Sequence, residues 1–146
     1  MTANTGSTYP EPPAFEVVEH TADWALHVTG RDLAALLTHA ALGMSSLLVA
    51  DLKTLPSDKQ RRIELDAFDA ETLLVDWLSE LAYLAESEQL VFSDFDLSEV
   101  TANRMTAVIR GGRPAELLKH IKAVTYHDLA IKQTARGLEA TIVFDV

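Results

Sequence analysis

The end of the chain carries oxygen atoms that could hold a metal ion. Asp145 is followed at once by Val146, whose α-carboxylate adds hard oxygens beside the aspartate side chain. Neighbouring carboxylates repel each other unless a cation or a basic group lies between them, so this pair is one half of a candidate site for Mg²⁺, Ca²⁺ or Mn²⁺. Acidic residues are also common at exposed chain ends without any metal, and that interpretation stays open.

A second polar cluster, His20-Thr21-Ala22-Asp23, falls in the predicted bend between the first two strands. Curvature of the backbone there can aim short polar side chains at one point, which makes the cluster the second candidate half of a site. The alternative is local, because Thr21 or Asp23 could simply close a turn by bonding to nearby backbone.

Donors and positive charge are concentrated in segment 119–128, where His120 and His127 flank Lys122 and Tyr126. The segment could bind a phosphate group, or it could be a surface strip that neutralises nearby acids. The remaining histidines outside the two clusters, His27 and His39, are interpreted as ordinary packing or surface residues.

Familiar catalytic motifs are absent from the sequence. There is no Gly-x-Ser-x-Gly elbow, no His-Glu-x-x-His helix and no glycine-rich phosphate loop, so serine hydrolases of that class, zincins and nucleotide-binding superfolds have no support. Gly111-Gly112-Arg113 offers backbone N–H groups to an anion, although a Gly-Gly pair before a proline is more often a plain turn. With no cysteine, disulfide scaffolds, zinc ribbons, iron–sulfur clusters and thiol catalysis are excluded.

Two amphipathic helices are predicted to position these residues. Asp32 is placed to cap a helix over about Leu33 to Leu48, and Asp69 to cap a second helix. The second helix has apolar residues at steps of three and four: Leu73, Leu74, Trp77, Leu78, Leu81 and Leu84.

The other segments alternate with the period of strands. In the terminal strand, Leu138, Ala140, Ile142 and Phe144 share one face, so Asp145 should lie on the other, outside the main core. A hairpin with a register break near Ser93 is expected over 90–110, a turn of helix over 115–120, and pairing of 129–134 with 138–146. The predicted fold class is α+β, a single compact domain with a mixed, mostly antiparallel sheet and two main helices.

Length, charge and composition limit the classes of protein to which this chain could belong. The chain has 146 residues and fits one domain, predicted over 14–146, after a proline-broken and polar tail over 1–13 that we expect to be disordered. Its net charge is −10, which disfavours general binding to nucleic acid or to anionic membranes. No stretch is apolar enough for a membrane span or a secretory signal, so we expect a cytoplasmic protein.

Charge is unevenly distributed along the chain. Eleven acids and no Lys or Arg lie between Glu64 and Glu99, whereas segment 104–122 contains five Lys or Arg residues and one acid. The acidic stretch is either the solvated face of the second helix or one pole of a bipolar docking surface.

Four segments in order resemble the archease family, and the likeness spans about Phe15 to Val146. They are Glu19-His20-Thr21-Ala22-Asp23, the helix 73–81, the stretch 121–129 and the terminal Phe144-Asp145-Val146. The resemblance implies a small α+β accessory protein that assists the RtcB-type RNA-splicing ligase, which joins RNA ends in tRNA splicing and RNA repair. Such a protein promotes guanylylation of the ligase by GTP and permits multiple turnover, without being a ligase itself.

The resemblance also implies the site residues. The family's metal ligands fall on Asp23, Asp145 and the terminal Val146, with a divalent ion such as Ca²⁺, Mg²⁺ or Mn²⁺ as the expected cofactor. His20, His120, Lys122 and His127 are possible further contacts to nucleotide or partner. The resemblance implies that GTP is contacted through the ligase. Stable binding of RNA by this chain and association with a membrane are not expected.

Two other functions stay open at this point. One is a metal-dependent phosphoesterase acting alone, for which the two aspartates and a terminus provide no convincing nucleophile, general base and oxyanion set. The other is a general chaperone or interaction module, in which changes to Asp23 or Asp145 would leave function intact.

Overall fold

The computed structural model describes residues 14–19 and 23–146, and these form eight strands and two α-helices. In chain order the elements are β1 (Phe15–Glu19), β2 (Asp23–Gly30), α1 (Leu33–Leu48), β3 (Lys59–Asp66), α2 (Ala70–Glu88), β4 (Val91–Ser98), β5 (Arg104–Gly112), β6 (Ala123–Thr125), β7 (Lys132–Thr134) and β8 (Gly137–Asp145). A short 3₁₀ turn, Leu52–Thr54, lies between α1 and β3. The predicted tail over 1–13 lies outside the described residues.

Both predicted helix starts are confirmed. The Asp32 carboxylate accepts a hydrogen bond from the Ala35 N–H at 2.8 Å, and the Asp69 carboxylate accepts one from the Thr72 N–H at 2.8 Å. Each bond satisfies one of the backbone donors that a helix leaves unpaired at its start. Hydrogen bonds from Thr72, by its side chain and its backbone, lower the pKa of Asp69 because they favour the charged carboxylate.

The strands divide into two antiparallel sheets. The first has the order β1-β2-β8-β6, with β7 also paired to β8, and the second has the order β3-β5-β4. The α+β class and the two main helices are confirmed, and the antiparallel strands form two separate sheets. Within the part of the chain that the structure describes, no helix is long and apolar enough to cross a membrane.

The helices and the inner sheet faces enclose one core. Trp77 of α2 is fully buried, and its indole N–H donates to the Leu37 carbonyl of α1 at 2.9 Å. The Trp77 ring also meets Phe95 of β4 edge to face, with centroids 6.0 Å apart. One side chain therefore joins both helices and the second sheet. On β8, Ala140, Ile142 and Phe144 are buried, which confirms the predicted inner face.

The hairpin of β4 and β5 contains an irregularity that requires glycine at position 111. The register shifts between Phe92 and Asp94, which confirms the predicted break near Ser93. A side chain at Gly111 would meet the backbone of Val91 and Phe92 on β4, so the close approach at this irregularity requires glycine. Both glycines belong to β5, so the predicted turn at Gly111-Gly112 was wrong.

The predicted helical turn over 115–120 was also wrong. This segment contains no helix, and its Leu118 N–H donates to the Leu48 carbonyl at 2.8 Å. Just after the segment, the Lys122 N–H donates to the Asp145 carbonyl at 2.7 Å. The first bond satisfies a carbonyl at the end of α1, and the second lies one residue before the start of β6.

Candidate metal site at one end of the five-stranded sheet

Backbone pairing brings the two predicted aspartate positions together. In the antiparallel pair of β2 and β8, Asp23 lies directly opposite Asp145, and Ala123 of β6 lies opposite Asp145 on its other side. Directly opposed positions of antiparallel strands share a face, with Cβ atoms about 4.5–5.5 Å apart. Positions far apart in the sequence are thus cross-strand neighbours. His20 and the side chain of Asp23 lie outside the described residues.

Asp145 has the surroundings expected of an available ligand. Its side chain is exposed, as the alternation of β8 predicted, and it makes no hydrogen bond or ion pair within the described part of the chain. Its carbonyl is held by the Lys122 N–H, while the Val146 side chain packs against the core. The backbone that leads to the terminal carboxylate is therefore held by one hydrogen bond to a neighbouring segment and by packing against the core.

The donor set is of the right chemistry for a hard cation. Like charges at directly opposed strand positions are unfavourable unless a counter-charge offsets them, and carboxylate oxygens suit Ca²⁺, Mg²⁺ or Mn²⁺. Among the side chains that the structure describes, no three His, Asp or Glu residues cluster as a metal site. The predicted ligands therefore depend on Asp23 and on the terminal carboxylate as well as on Asp145, and this ligand set stays a prediction.

Part of the predicted basic segment lies at the same end of the sheet. Lys122 directly precedes β6 and is exposed beside a cleft of about 260 Å³. The His120 Nδ1 atom is 2.8 Å from the Glu86 carboxylate of α2, and the Lys119 ammonium sits 3.9 Å from the centre of the Trp24 ring. Since Trp24 follows Asp23 in β2, these contacts hold segment 119–122 beside the aspartate positions.

His127 has a different location. It lies two residues after Thr125, the last residue of β6, which pairs with Val143 of β8. It is part of a turn in which the Leu129 N–H donates to the Tyr126 carbonyl at 3.0 Å. The His127 Nε2 atom is 3.3 Å from the Asp128 carboxylate. The described backbone does not bring His127 beside Asp145, so it is not grouped with His120 and Lys122.

The charge separation seen along the sequence does not persist across the second sheet. Arg61 pairs with Glu88 at 2.8 Å, and Arg104 pairs with Asp66 at 2.9 Å. The hydrogen bond and charge of Asp66 raise the pKa of the Arg104 guanidinium. These acids from the predicted acidic stretch are thus neutralised locally. Such partly exposed pairs add little stability, but they argue against two separate poles.

Two contacts at this end were missed by reasoning from the sequence. Glu86 orients His120, and Trp24 receives Lys119, yet each pair joins residues distant in the chain. Neither pairing could be predicted from the sequence, because the helix and strand periods that predict elements do not say which surface residues meet.

The fold defines a class of small α+β protein with two helices packed on two antiparallel sheets. The chain matches the Archease protein family (MTH1598/TM1083) over residues 15–146. Protein archease of Methanosarcina barkeri is 37% identical over 142 residues, covering 90% of this chain and 95% of the relative. Protein archease of Saccharolobus islandicus is 36% identical over 139 residues, covering 91% and 99%.

Solved structures agree. The solution structure of Methanobacterium thermoautotrophicum protein 1598 superposes with a TM-score of 0.78 at 28% identity, covering 91% of this chain and 99% of that one. The crystal structure of a Thermotoga maritima archease, described as a possible chaperone, gives a TM-score of 0.62 at 22% identity, covering 96% and 100%, and shares the fold. The chain belongs to the archease family.

Proposed function

We propose that this protein activates an RtcB-type RNA-splicing ligase, promoting its guanylylation by GTP and its multiple turnover, rather than joining RNA itself. Membership of the archease family supports this function. The structural observation that carries it is the opposition of Asp23 and Asp145 at the end of the sheet, one residue before the terminal carboxylate.

The proposed cofactor is a divalent ion, Ca²⁺, Mg²⁺ or Mn²⁺, held by Asp23, Asp145 and the α-carboxylate of Val146. When bound, such an ion supplies a local positive charge that attracts phosphate oxygens. The chain's own contribution is to hold the donors rigidly. Asp145 is fixed by pairing with β2 and β6, and its carbonyl is fixed by the Lys122 N–H.

The surface charge suits a basic partner. A ligase that binds RNA and GTP must be strongly positive around its active site, so a protein of net charge −10 is steered toward it and away from free RNA. Lys122 is the exposed cation beside the aspartate positions, and His120 stands next to it with Glu86 as its partner. Both are proposed to contact nucleotide or ligase near the metal.

A second function, a chaperone or interaction module, is favoured by one observation. A large, mostly apolar side chain is exposed at the cleft beside Lys122, namely Tyr83, which is 62% exposed. Such a residue suits contact with a partner protein whether or not a metal is involved. The two functions differ in whether Asp23 and Asp145 are needed.

The test is RNA joining under multiple turnover by the ligase of the same source, with and without this protein. We compare the wild type with Asp23→Ala, Asp145→Ala and the matched control Asp96→Ala, which removes an exposed strand aspartate of the second sheet. The proposal expects stimulation by wild type and control, and loss in both site variants while they remain folded.

Other outcomes would point elsewhere. Full stimulation by Asp23→Ala and Asp145→Ala would favour the interaction module. Hydrolysis of a generic phosphoester by the purified protein, lost in Asp23→Ala, would instead favour an enzyme acting alone. Absence of any stimulation would refute the proposed function.

A further inference from the structure

A cleft of about 530 Å³ lies at the opposite end of the five-stranded sheet from Asp145. It is built where β2 ends and β8 begins, since Gly30 lies opposite Leu138 and Thr29 opposite Glu139. Gly30 is seven residue steps along β2 from Asp23, which at the rise of a strand is about 23 Å. The cleft is therefore separate from the candidate metal site.

The cleft is lined by several basic side chains in an acidic protein. Its lining includes two guanidinium side chains, Arg31 and Arg136, and two imidazoles, His27 and His39. Among the described lining residues Glu139 is the sole carboxylate, and it lies 3.6 Å from the His27 Nε2 atom. Among the described lining residues there are thus two guanidinium groups and one carboxylate, whereas the whole chain has a net charge of −10.

Among the described residues, Arg31 has no carboxylate partner, in contrast to most arginines of this protein. Arg61, Arg62, Arg104 and Arg110 each pair with an acid within 3.4 Å. Arg31 is exposed and makes no ion pair or hydrogen bond through its side chain within the described residues. An uncompensated guanidinium offers its planar set of donors to an external anion.

Local structure fixes the groups around Arg31. The His39 Nδ1 atom is 2.6 Å from the Thr29 carbonyl oxygen, which can only accept, so Nδ1 carries the proton and Nε2 is directed elsewhere. Gly137 has φ +131°, and a side chain there would meet the backbone of Gly30 and Arg31. Glycine at this position lets the β7–β8 turn close over the end of β2, next to Arg31.

We propose that this cleft binds a small organic phosphate ester. The phosphate group would lie against the Arg31 guanidinium group, since arginine matches phosphate oxygens with paired hydrogen bonds. The organic group would lie against the apolar Leu138 and Ala14, which also line the cleft. The volume is well above that needed for inorganic phosphate and falls within the range of about 300–1,000 Å³ usual for small-molecule sites. This inference is independent of the proposed function.

The test is titration of the whole protein by calorimetry and by amide NMR with adenosine 5′-monophosphate, inorganic phosphate and adenosine. We expect saturable binding of the monophosphate, weaker binding of inorganic phosphate, and none of adenosine. Amide shifts should map to the ends of β2 and β8. Arg31→Gln should weaken binding of the monophosphate about tenfold or more, as expected for loss of a charge-assisted hydrogen bond.

Two further variants sharpen the result. Arg113→Gln removes an exposed arginine that does not line the cleft and should leave binding unchanged. Arg31→Lys keeps the charge but not the planar fork, and should retain part of the affinity. Equal binding of adenosine, equal losses in Arg31→Gln and Arg113→Gln, or no saturable binding of the monophosphate would each overturn the proposal. Because Arg31 is exposed and has no side-chain partner among the described residues, its variants should unfold at the wild-type temperature.

Discussion

Replacing Asp145 by asparagine should have opposite effects on stability without and with metal. Two carboxylates about 5 Å apart in water repel each other by about 0.8 kcal/mol. Asp145→Asn removes that repulsion at almost constant shape, so the metal-free variant should match the wild type or exceed it by up to about 1 kcal/mol. For a domain of this size that is a rise in Tm of about 2–4 °C.

Bound metal should reverse the order. At a free concentration one hundred times its Kd, a ligand that binds only the folded state adds about 2.7 kcal/mol, or about 5–11 °C in Tm. The wild type should gain this increment and Asp145→Asn should lose most of it, because a ligand has been removed.

The assay is thermal unfolding followed by circular dichroism, after chelation and then with Ca²⁺, Mg²⁺ or Mn²⁺ added. Asp96→Asn is the matched control, since it removes an exposed strand aspartate of the second sheet and should respond to metal like the wild type. A wild type that responds to none of the three ions, or an Asp145→Asn variant that responds equally, would refute the reasoning.

Three further predictions concern the chain end and the helices. A C-terminal extension converts the Val146 carboxylate into an amide and should weaken metal binding with little change in the metal-free Tm; calorimetry with unimpaired affinity would remove Val146 from the ligand set. Trp77→Phe deletes the buried bond to the Leu37 carbonyl and part of a fully buried ring, and should cost about 2 kcal/mol in urea unfolding; a loss under about 0.5 kcal/mol would contradict the packing described. Asp69→Ala should destabilise the fold at neutral pH. Because the folded-state pKa of Asp69 is lowered, the carboxylate's contribution is present above the ordinary aspartate pKa of about 3.9 and is lost as the pH falls through the lower folded value. A destabilisation that did not shrink in acid would point to a cause other than the charged cap.

The helices could be predicted from the sequence because their information is local. Asp32 and Asp69 each stand just before a run of apolar residues with a period near 3.6, and both cap as predicted. Strand β6 was missed, because the three residues Ala123–Thr125 are too few to show a period of two. The helical turn predicted over 115–120 was wrong, because the conformation there depends on a long-range bond, from the Leu118 N–H to the Leu48 carbonyl, that leaves no local pattern.

The candidate site divides in the same way. Alternation along β8 predicted that Asp145 would be exposed, and the structure confirms it. The opposition of Asp23 and Asp145 depends on strand register, which no local pattern specifies; there the family resemblance named both positions. The cleft around Arg31 had no sequence signal. Its residues come from β2, the loop before α1, α1 itself, the β7–β8 turn and β8, and the sequence suggested only ordinary roles for His27 and His39.

The most direct test of the proposed function is the rate at which GTP guanylylates the ligase, measured by transfer of labelled nucleotide to the ligase. It is run with the wild-type protein, Asp145→Asn and Asp96→Asn at equal concentration. The wild type and Asp96→Asn should accelerate the transfer, and Asp145→Asn should leave it near the rate of the ligase alone. Equal acceleration by Asp145→Asn would show that the paired aspartates are not the basis of the activity, and no acceleration by the wild type would contradict the accessory role itself.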